Sequence, residues 1–213
     1  LSITKNFLKD FNVNLNKFAT DSKQIIFLRH METELNARDI FYGTNTDSKI
    51  ISDKVELDSS ILNKEYKIYS SESKRAILSA KEYNFLNINV SEQINEIQYG
   101  LANNMTFAEY KKKYYINSIL WKLGVDKKFP KGENNSDVLK RLKIHLDSID
   151  TNSILFTHLV PIRVILGDYY NIPKKDWFKI SVPHNKPIKF LKHKNKLYSN
   201  IDRLLLSEIF KNL

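Results

Sequence analysis

Two histidines in this chain come directly after short apolar runs, and the first has an arginine beside it. Residues 24–28 lead into Arg29 and His30, and residues 153–157 lead into His158. Such runs are typical of strands that are buried on both faces. In open α/β sheets, ligands bind beyond the carboxyl ends of the strands. We therefore expect Arg29, His30 and His158 to share a pocket, and the arginine indicates that this pocket binds an anion.

Two further stretches contribute residues that suit the handling of a phosphate group. Residues 66–70 form a second predicted strand, and Arg75 follows it in the first turn of a helix predicted over 73–83. A guanidinium binds phosphate oxygens in pairs and stays charged, and the free N–H groups at a helix start attract the same anion. Glu96, in a predicted loop, adds a carboxyl group that can exchange a proton.

Together these residues form four motifs that resemble the histidine phosphatase superfamily, in its phosphoglycerate-mutase-like branch. The family patterns are R-H-G-E-[ST] with a nearby Asn, S-S-x-x-x-R-A, a Glu before [FY]-G, and [ST]-H-G-G-x-x-R. The matching residues are, in the same order, Arg29-His30-Met31-Glu32-Thr33 with Asn36, Ser70-Ser71 with Arg75-Ala76, Glu96 with Tyr99-Gly100, and Thr157-His158-Leu159-Val160 with Arg163. The resemblance covers residues 24–192.

The resemblance implies how these residues would act. His30 is expected to attack the phosphorus atom and form a phosphohistidine, which water then hydrolyses. Glu96 is expected to give a proton to the leaving oxygen and then to take one from the attacking water. Arg29, Arg75 and His158 are expected to hold the phosphate. His30 must be neutral to attack, and two neighbouring arginines would lower its pKa.

Four more residues are weaker candidates for the site. Asn36, close behind the first motif, is expected to bind the phosphate or the substrate. Residues 36–52 are polar and predict a loop, and in the family this loop runs beside the pocket. Tyr42, Thr44 and Asn45 are therefore expected to contact the substrate. The resemblance implies no cofactor and no metal.

The chain departs from the family pattern at two places. Met31 stands where the family has glycine after the first histidine, and Leu159-Val160 replace two glycines after the second. Glycine permits backbone angles and close approaches that other residues do not. The replacements indicate either an unusual substrate or a degenerate enzyme that binds phosphate without turnover. All the charged groups are present, which favours an active enzyme.

The resemblance leaves two kinds of enzyme and one binding protein as alternatives. The mutase branch has an arginine after the proton-donating glutamate and a long basic insert, whereas Ile97 follows Glu96 here and no such insert is recognisable. The sequence therefore favours a phosphomonoester hydrolase acting on a small phosphorylated metabolite. A phosphoglycerate-mutase-type phosphotransferase is the alternative among enzymes, and a catalytically degenerate phosphate-binding or scaffold module is the alternative outside them.

Composition excludes several other classes of protein. There is no cysteine, which excludes disulfides, thiolate catalysis and cysteine metal sites, and no H-E-x-x-H pattern that would indicate a metal hydrolase. The net charge is +10, but the lysines are spread along the chain, so we expect no nucleic-acid partner. We also expect no membrane span and a cytoplasmic location, and a homo-oligomer is left open.

The order of the elements predicts a three-layer α/β sandwich, with a mostly parallel central sheet and helices on both faces. Residues 23–213 are expected to form a single domain, and residues 1–22 a helical extension before it. Residues 105–123 predict a long aromatic helix, which we expect to form a lid beside the pocket. The remaining predicted helices cover 54–62, 134–149, 161–169 and 203–213, and the remaining predicted strands cover 87–90, 180–182, 189–191 and 197–201.

Overall fold

The computed structural model of the chain describes residues 21–54, 56–57, 61 and 65–213. The predicted N-terminal extension lies outside these residues, apart from its last two positions. The predicted helix over 54–62 also lies largely outside them.

A single sheet contains the six strands of the described residues. They are β1 Lys23–Arg29, β2 Lys67–Ser70, β3 Ile88–Val90, β4 Ser153–Thr157, β5 Ile188–His193 and β6 Lys196–Ser199. Their order across the sheet is β3-β2-β4-β1-β5-β6. The first four strands in this order run parallel to one another, whereas β5 is antiparallel to β1, and β6 is antiparallel to β5. The predicted, mostly parallel sheet is thus confirmed, with its antiparallel strands at one edge.

The helices lie between and after these strands. The α-helices are α1 Glu34–Ala37, α2 Lys74–Glu82, α3 Phe107–Lys113, α4 Tyr115–Lys122, α5 Asn135–Ser148, α6 Leu159–Tyr169 and α7 Arg203–Ile209. Short 3₁₀ helices cover Glu92–Ile94, Gly100–Ala102 and Lys174–Lys179. In the part of the chain that the structure describes, no helix has both the length and the apolar character needed to cross a membrane.

Two hydrophobic cores lie on opposite faces of the sheet, because successive residues of a strand point to opposite sides. Ile25 and Phe27 of β1 belong to the larger core, which also contains apolar residues of α5 and α6. Ile26 and Leu28 belong to the smaller core, together with Ala76 and Ala80 of α2. The apolar run before Arg29 is continuous because both faces of β1 are covered. The predicted three-layer sandwich is confirmed.

Residues 180–182 do not form the predicted strand. They follow the Lys174–Lys179 3₁₀ helix as irregular chain. Two of their carbonyl groups instead accept hydrogen bonds from arginines. Arg163 Nε donates to the Ile180 carbonyl at 3.1 Å, and Arg29 Nη1 donates to the Val182 carbonyl at 2.8 Å. The segment is apolar enough to resemble a strand, but its backbone carbonyl groups form hydrogen bonds with guanidinium groups rather than with a neighbouring strand.

The long helix predicted over 105–123 is two shorter helices, α3 and α4, which meet at Tyr114. Tyr114 leaves the helical conformation, with φ −121° and ψ 50°. Tyr110 of α3 is fully buried and stacks on Trp121 of α4, with ring centroids 5.0 Å apart. The aromatic side chains thus hold the two helices to each other and to a core cluster. Neither helix contributes a residue to the lining of the pocket of about 540 Å³ described below, so the predicted lid is not found among the residues that line it.

Lys192 of β5 joins the sheet to the end of α5. Its Nζ donates hydrogen bonds to the carbonyls of Leu146, Asp147 and Ile149 at 2.7, 3.0 and 2.7 Å. These carbonyl groups lie at the end of α5, where intrahelical donors run out, although that of Leu146 also accepts from the Ile149 N–H at 3.2 Å. A cation there also interacts favourably with the helix dipole. Lys192 is 8% exposed, so the contacts are shielded from water.

We predict that Lys192→Met lowers the free energy of unfolding by about 1–3 kcal/mol, because it leaves buried carbonyl groups without a donor. Urea unfolding monitored by circular dichroism would measure the change. Lys196→Met is the matched control, because Lys196 lies on β6 and is exposed; we expect a change within about 0.5 kcal/mol. Equal effects of the two substitutions would contradict the assigned role of Lys192.

Candidate functional site

The carboxyl ends of β1 and β4 place the two predicted histidines side by side. The strands pair in parallel so that Arg29 lies opposite Thr157, and His30 and His158 are the next residues. The His30 N–H donates to the Thr157 carbonyl at 3.0 Å, and the two imidazole ring centroids are 5.1 Å apart. Both histidines are buried, with exposed fractions of 2% and 0%.

One guanidinium joins these histidines. Arg75 is the second residue of α2, and its Nε donates to His30 Nε2 at 3.2 Å. Its Nη2 lies 3.2 Å from His158 Nδ1. The remaining terminal nitrogen, Nη1, donates to the carbonyls of Gly43 and Thr46 at 3.2 and 3.3 Å. Arg75 therefore connects the ends of two strands to the loop around residue 44.

These contacts define which nitrogen of each imidazole carries the proton. His30 Nδ1 is 2.6 Å from the Met31 carbonyl, which can only accept, so the hydrogen is on Nδ1 and Nε2 has a lone pair. His158 Nδ1 faces an arginine N–H and must accept. Its Nε2 therefore carries the hydrogen and donates to Ser71 Oγ at 2.7 Å.

Both imidazoles are held in the neutral form. Burial lowers the pKa of His30 well below its usual value, and the charges of Arg75 and Arg29 lower it further. The pKa of His158 is lowered in the same direction, again by burial first and then by Arg75. A neutral histidine has a nitrogen lone pair available for attack, so the site meets the main electrostatic requirement for a histidine nucleophile.

Arg29 supplies the second cation of the site. Its Nη1 donates to the Val182 carbonyl, whereas its Nε is buried without a hydrogen-bond partner among the described residues. Burial lowers the pKa of this guanidinium, and the nearby Glu96 carboxyl opposes that shift. An N–H donor that is buried and unpaired next to two histidines suits an anionic ligand.

Glu96 lies near the same group of charges but in a different hydrogen-bonding environment. Its Oε1 accepts from the backbone N–H groups of Ile97 at 2.9 Å and Val160 at 3.2 Å. Its side chain is 6% exposed, and burial raises the pKa of the carboxyl, against the opposing effects of those N–H groups and the arginines. A carboxyl group with a raised pKa is suited to giving up a proton near neutral pH.

A pocket of about 540 Å³ lies beside Glu96. Thr44 and Asn45, the two loop residues expected to contact the substrate, both line it together with Glu96. The two histidines and Arg75 are not part of this lining. Gly43 and Thr46, whose carbonyl groups accept from Arg75, also line the pocket, so it borders the Arg75 side of the histidine pair.

Asn36 is set apart from the histidines. Its Oδ1 accepts hydrogen bonds from the Thr33 backbone N–H at 3.2 Å, the Thr33 hydroxyl at 2.8 Å and the Tyr42 hydroxyl at 2.9 Å. Tyr42 in turn packs its ring on the Arg75 guanidinium, 4.2 Å from the ring centroid. Asn36 thus supports Arg75 through Tyr42, and its amide nitrogen is the group that remains for a ligand.

The residues that replace the family's glycines are accommodated without strain. Met31, Leu159 and Val160 all have negative φ angles. Met31 is 3% exposed, and its backbone N–H donates to Ser79 Oγ at 2.9 Å. Leu159 and Val160 form the first turn of α6. Because these three positions need no special backbone angle, the larger side chains cause no backbone strain at the site.

A third histidine was not found by sequence reasoning. His184 Nδ1 donates to the His30 carbonyl at 2.6 Å, and the two rings are 5.4 Å apart. Burial and then Arg29 lower the pKa of His184 to about 4. It lies in an irregular segment without a motif of its own, so only the path of the chain reveals it. Ser73 was also missed; its Oγ is 3.1 Å from His158 Nε2.

Comparison with known proteins gives a match over most of the chain. The family model described as histidine phosphatase superfamily (branch 1) matches residues 25–199. No curated protein sequence matches the chain.

Solved structures with the same fold include several proteins named as phosphatases. A mycobacterial glucosyl-3-phosphoglycerate phosphatase is 17% identical, with a TM-score of 0.66, 84% of this chain and 98% of that chain covered. The alpha-ribazole phosphatase of Shigella flexneri is 13% identical, with a TM-score of 0.67 and coverages of 84% and 95%. The phosphoserine phosphatase of Entamoeba histolytica is 19% identical, with a TM-score of 0.65 and coverages of 79% and 90%. At these identities the likeness establishes the fold.

We predict that the free energy of unfolding decreases as the pH falls from about 6.5 to about 4. An unfolded histidine titrates near 6.5, so in this window the unfolded chain binds more protons than the folded chain. Each histidine with a lowered pKa then contributes a loss of up to about 1.4 kcal/mol per pH unit. Burial is the main cause of a lowered pKa at four histidines. The pKa is lowered to about 4 at His145 and His184. It is lowered well below the usual value at His30 and His158.

Urea unfolding at a series of pH values would measure this dependence. Glu96 acts in the opposite direction, because its raised pKa lets the folded chain keep a proton that the unfolded chain loses. His145→Gln removes one titrating histidine outside the site and should reduce the slope. A stability that stays constant or rises towards pH 4 would contradict the prediction.

Proposed function

Because the chain belongs to the histidine phosphatase superfamily, branch 1, we propose that it hydrolyses phosphomonoesters through a phosphohistidine formed on His30. One observation carries the proposal. Arg75 contacts both His30 and His158 at the ends of neighbouring parallel strands, where both imidazoles are buried and neutral.

The phosphate would bind among the three donors around His30. Arg29 offers its unpaired Nε, and Arg75 turns its Nε and Nη2 from the two imidazoles to the phosphate oxygens. As Arg75 leaves His158 Nδ1, the hydrogen of His158 moves from Nε2, which then accepts from the Ser71 hydroxyl, to Nδ1, which donates a hydrogen bond to the phosphate. Because phosphoryl transfer depends mainly on positioning and on neutralising charge, fixed cations of this kind supply most of what the reaction needs.

His30 would act as the nucleophile through Nε2. The Met31 carbonyl holds the proton on Nδ1, which keeps the lone pair on the nitrogen that faces Arg75. As Nε2 bonds to phosphorus, the bond from phosphorus to the leaving oxygen breaks. Water then attacks the phosphohistidine, the phosphorus–nitrogen bond breaks, and inorganic phosphate is released with His30 neutral again.

Glu96 would provide the protons for both steps. Its carboxyl, protonated because burial raises its pKa, gives a proton to the leaving oxygen. The resulting carboxylate takes a proton from the attacking water. The Val160 and Ile97 N–H groups hold its Oε1 in place. They thereby also orient Oε2, the oxygen that would exchange the proton.

The weaker candidates take separate roles in this proposal. Thr44 and Asn45 line the pocket beside Glu96, so they would contact the leaving group rather than the phosphate. Asn36 would contribute its amide nitrogen at the edge of the phosphate site while its oxygen holds Tyr42. The names of the similar structures favour a phosphatase over a mutase for this chain. The substrate would be a small phosphorylated metabolite, and no metal is needed.

We predict that the protein releases inorganic phosphate from phosphomonoesters in the presence of a chelator, and that His30→Ala lowers kcat at least about 10³-fold. The loss follows because no other group can form the covalent intermediate. A colorimetric phosphate assay over an ester panel would measure it. His145→Gln is the control, since His145 is a buried histidine outside the site. Phosphate binding without any turnover would instead support the degenerate binding module.

We predict that Glu96→Gln slows the first step, transfer of the phosphoryl group to His30, about 10²–10⁴-fold for alkyl phosphates but much less for p-nitrophenyl phosphate, as measured by release of the alcohol in a single turnover. Nitrophenolate is a stable anion and can leave without being protonated, whereas an alkoxide is strongly basic and needs a proton as it leaves. Glutamine keeps an oxygen that can accept the Ile97 and Val160 hydrogen bonds. The same variant should lose the fall in kcat at high pH that deprotonation of Glu96 causes in the native enzyme. An equal loss on both ester types in this first step would exclude Glu96 as the proton donor, whereas the second step is common to both esters and should slow equally.

A further inference from the structure

The pocket beside Glu96 has a lining suited to one class of leaving group. Its volume of about 540 Å³ exceeds what a phosphate needs and falls in the range of small-molecule sites. Apart from two glycines and Tyr99, the lining side chains carry amide, hydroxyl or charged groups. Such a surface offers hydrogen bonds rather than apolar contact, so it favours a polar leaving group.

Negative charge exceeds positive charge in this lining. The charged residues are four carboxyl groups and two cations: Glu72, Glu92, Glu96, Glu133, Lys131 and Arg141. Glu96 is protonated in the proposed reaction, and the remaining three carboxylates still outnumber the cations. The overall charge of +10 attracts phosphate esters to the protein, whereas this pocket does not attract a second anionic group on the same molecule.

Arg141, the cation within the pocket wall, is already used by the protein. Its Nε and Nη2 contact both carboxylate oxygens of Glu133 at 3.0 and 3.2 Å. Its Nη1 donates to the Gln93 carbonyl at 2.8 Å and Nη2 donates to the Glu96 carbonyl at 3.1 Å. A carboxylate on the substrate would have to displace Glu133 to bind it. The other cation, Lys131, is exposed at the rim.

Apart from Lys131, the hydrogen-bonding groups of the lining that remain are uncharged or acidic. Thr44, Asn45 and Gln98 have no side-chain hydrogen-bond partner among the described residues. Glu72 accepts from Asn95 Nδ2 at 2.6 Å and keeps its second oxygen. Carboxylate oxygens only accept hydrogen bonds, whereas amides both donate and accept them. A hydroxyl group on a ligand can donate to a carboxylate and can exchange hydrogen bonds in either direction with an amide.

We propose that the leaving group is a neutral, polyhydroxylated alcohol of the sugar or glycerol type, and that carboxylate-bearing phosphoesters are discriminated against. The inference rests on the proposed function and specifies its substrate class. Hydroxyl groups donate to Glu72 and Glu92 and exchange hydrogen bonds with the loop at Thr44 and Asn45. A carboxylate in the same place faces the like charges of Glu72 and Glu92, with only the exposed Lys131 to offset them, which is unfavourable.

Glycerol 3-phosphate and 3-phosphoglycerate form a matched pair for the test, because they differ only in a hydroxymethyl group against a carboxylate. The expected kcat/KM is at least about tenfold higher for glycerol 3-phosphate at low ionic strength. The double variant Glu72→Gln/Glu92→Gln should bring the two kcat/KM values closer together, because it raises kcat/KM for 3-phosphoglycerate. Glu65→Gln/Glu82→Gln is the control for the same change in net charge, because both residues are exposed and lie outside the pocket; the ratio should not change.

Binding separates a failure of this inference from a failure of the proposed function. Isothermal titration calorimetry with the His30→Ala variant should give a lower Kd for glycerol 3-phosphate than for 3-phosphoglycerate. If neither ester nor any other phosphomonoester is hydrolysed, the proposed function fails, and this order of Kd still supports the specificity. The inference is overturned if the two esters have equal Kd and equal kcat/KM values. It is also overturned if 3-phosphoglycerate binds more tightly or is hydrolysed faster than glycerol 3-phosphate.

Discussion

The contact of one guanidinium with two buried imidazoles is the interaction on which the rest of the site depends. Arg75 reaches His30 and His158 at the same distance of 3.2 Å, and its charge helps to keep both neutral. A cation buried to this extent is stable only if its N–H groups are satisfied. The imidazole lone pairs and the carbonyls of Gly43 and Thr46 satisfy them.

The sheet supplies the precision that this contact needs. The parallel pairing of β1 with β4 sets the histidines side by side, and α2, packed on the smaller core, brings Arg75 to them from the next strand. Buried strands without exposed faces leave little freedom for the residues at their ends. The carbonyl of Met31 and the hydroxyl of Ser71 then fix the two tautomers, so the local chemistry follows from main-chain and neighbouring polar groups.

Much of this arrangement could be predicted from the sequence, because it depends on local patterns. Apolar runs mark β1 and β4, and the residues just after them must lie at the same edge of a parallel sheet. The features that were missed depend on distant partners. The carbonyls of residues 180–182 serve arginines rather than a strand, and His184 contacts the His30 carbonyl from 154 positions along the chain. The break at Tyr114 allows Tyr110 to stack on Trp121, a contact that helical periodicity does not record.

The central claim is that a covalent intermediate forms on Nε2 of His30. Rapid mixing with a phosphomonoester, quenching at alkaline pH where phosphohistidine survives, and peptide mass spectrometry would locate the phosphoryl group. The account predicts phosphate on the peptide that contains His30, at a level that rises and decays with turnover and is absent in His30→Ala. Turnover with no labelled histidine, or with the label on His158 or His184, would contradict it.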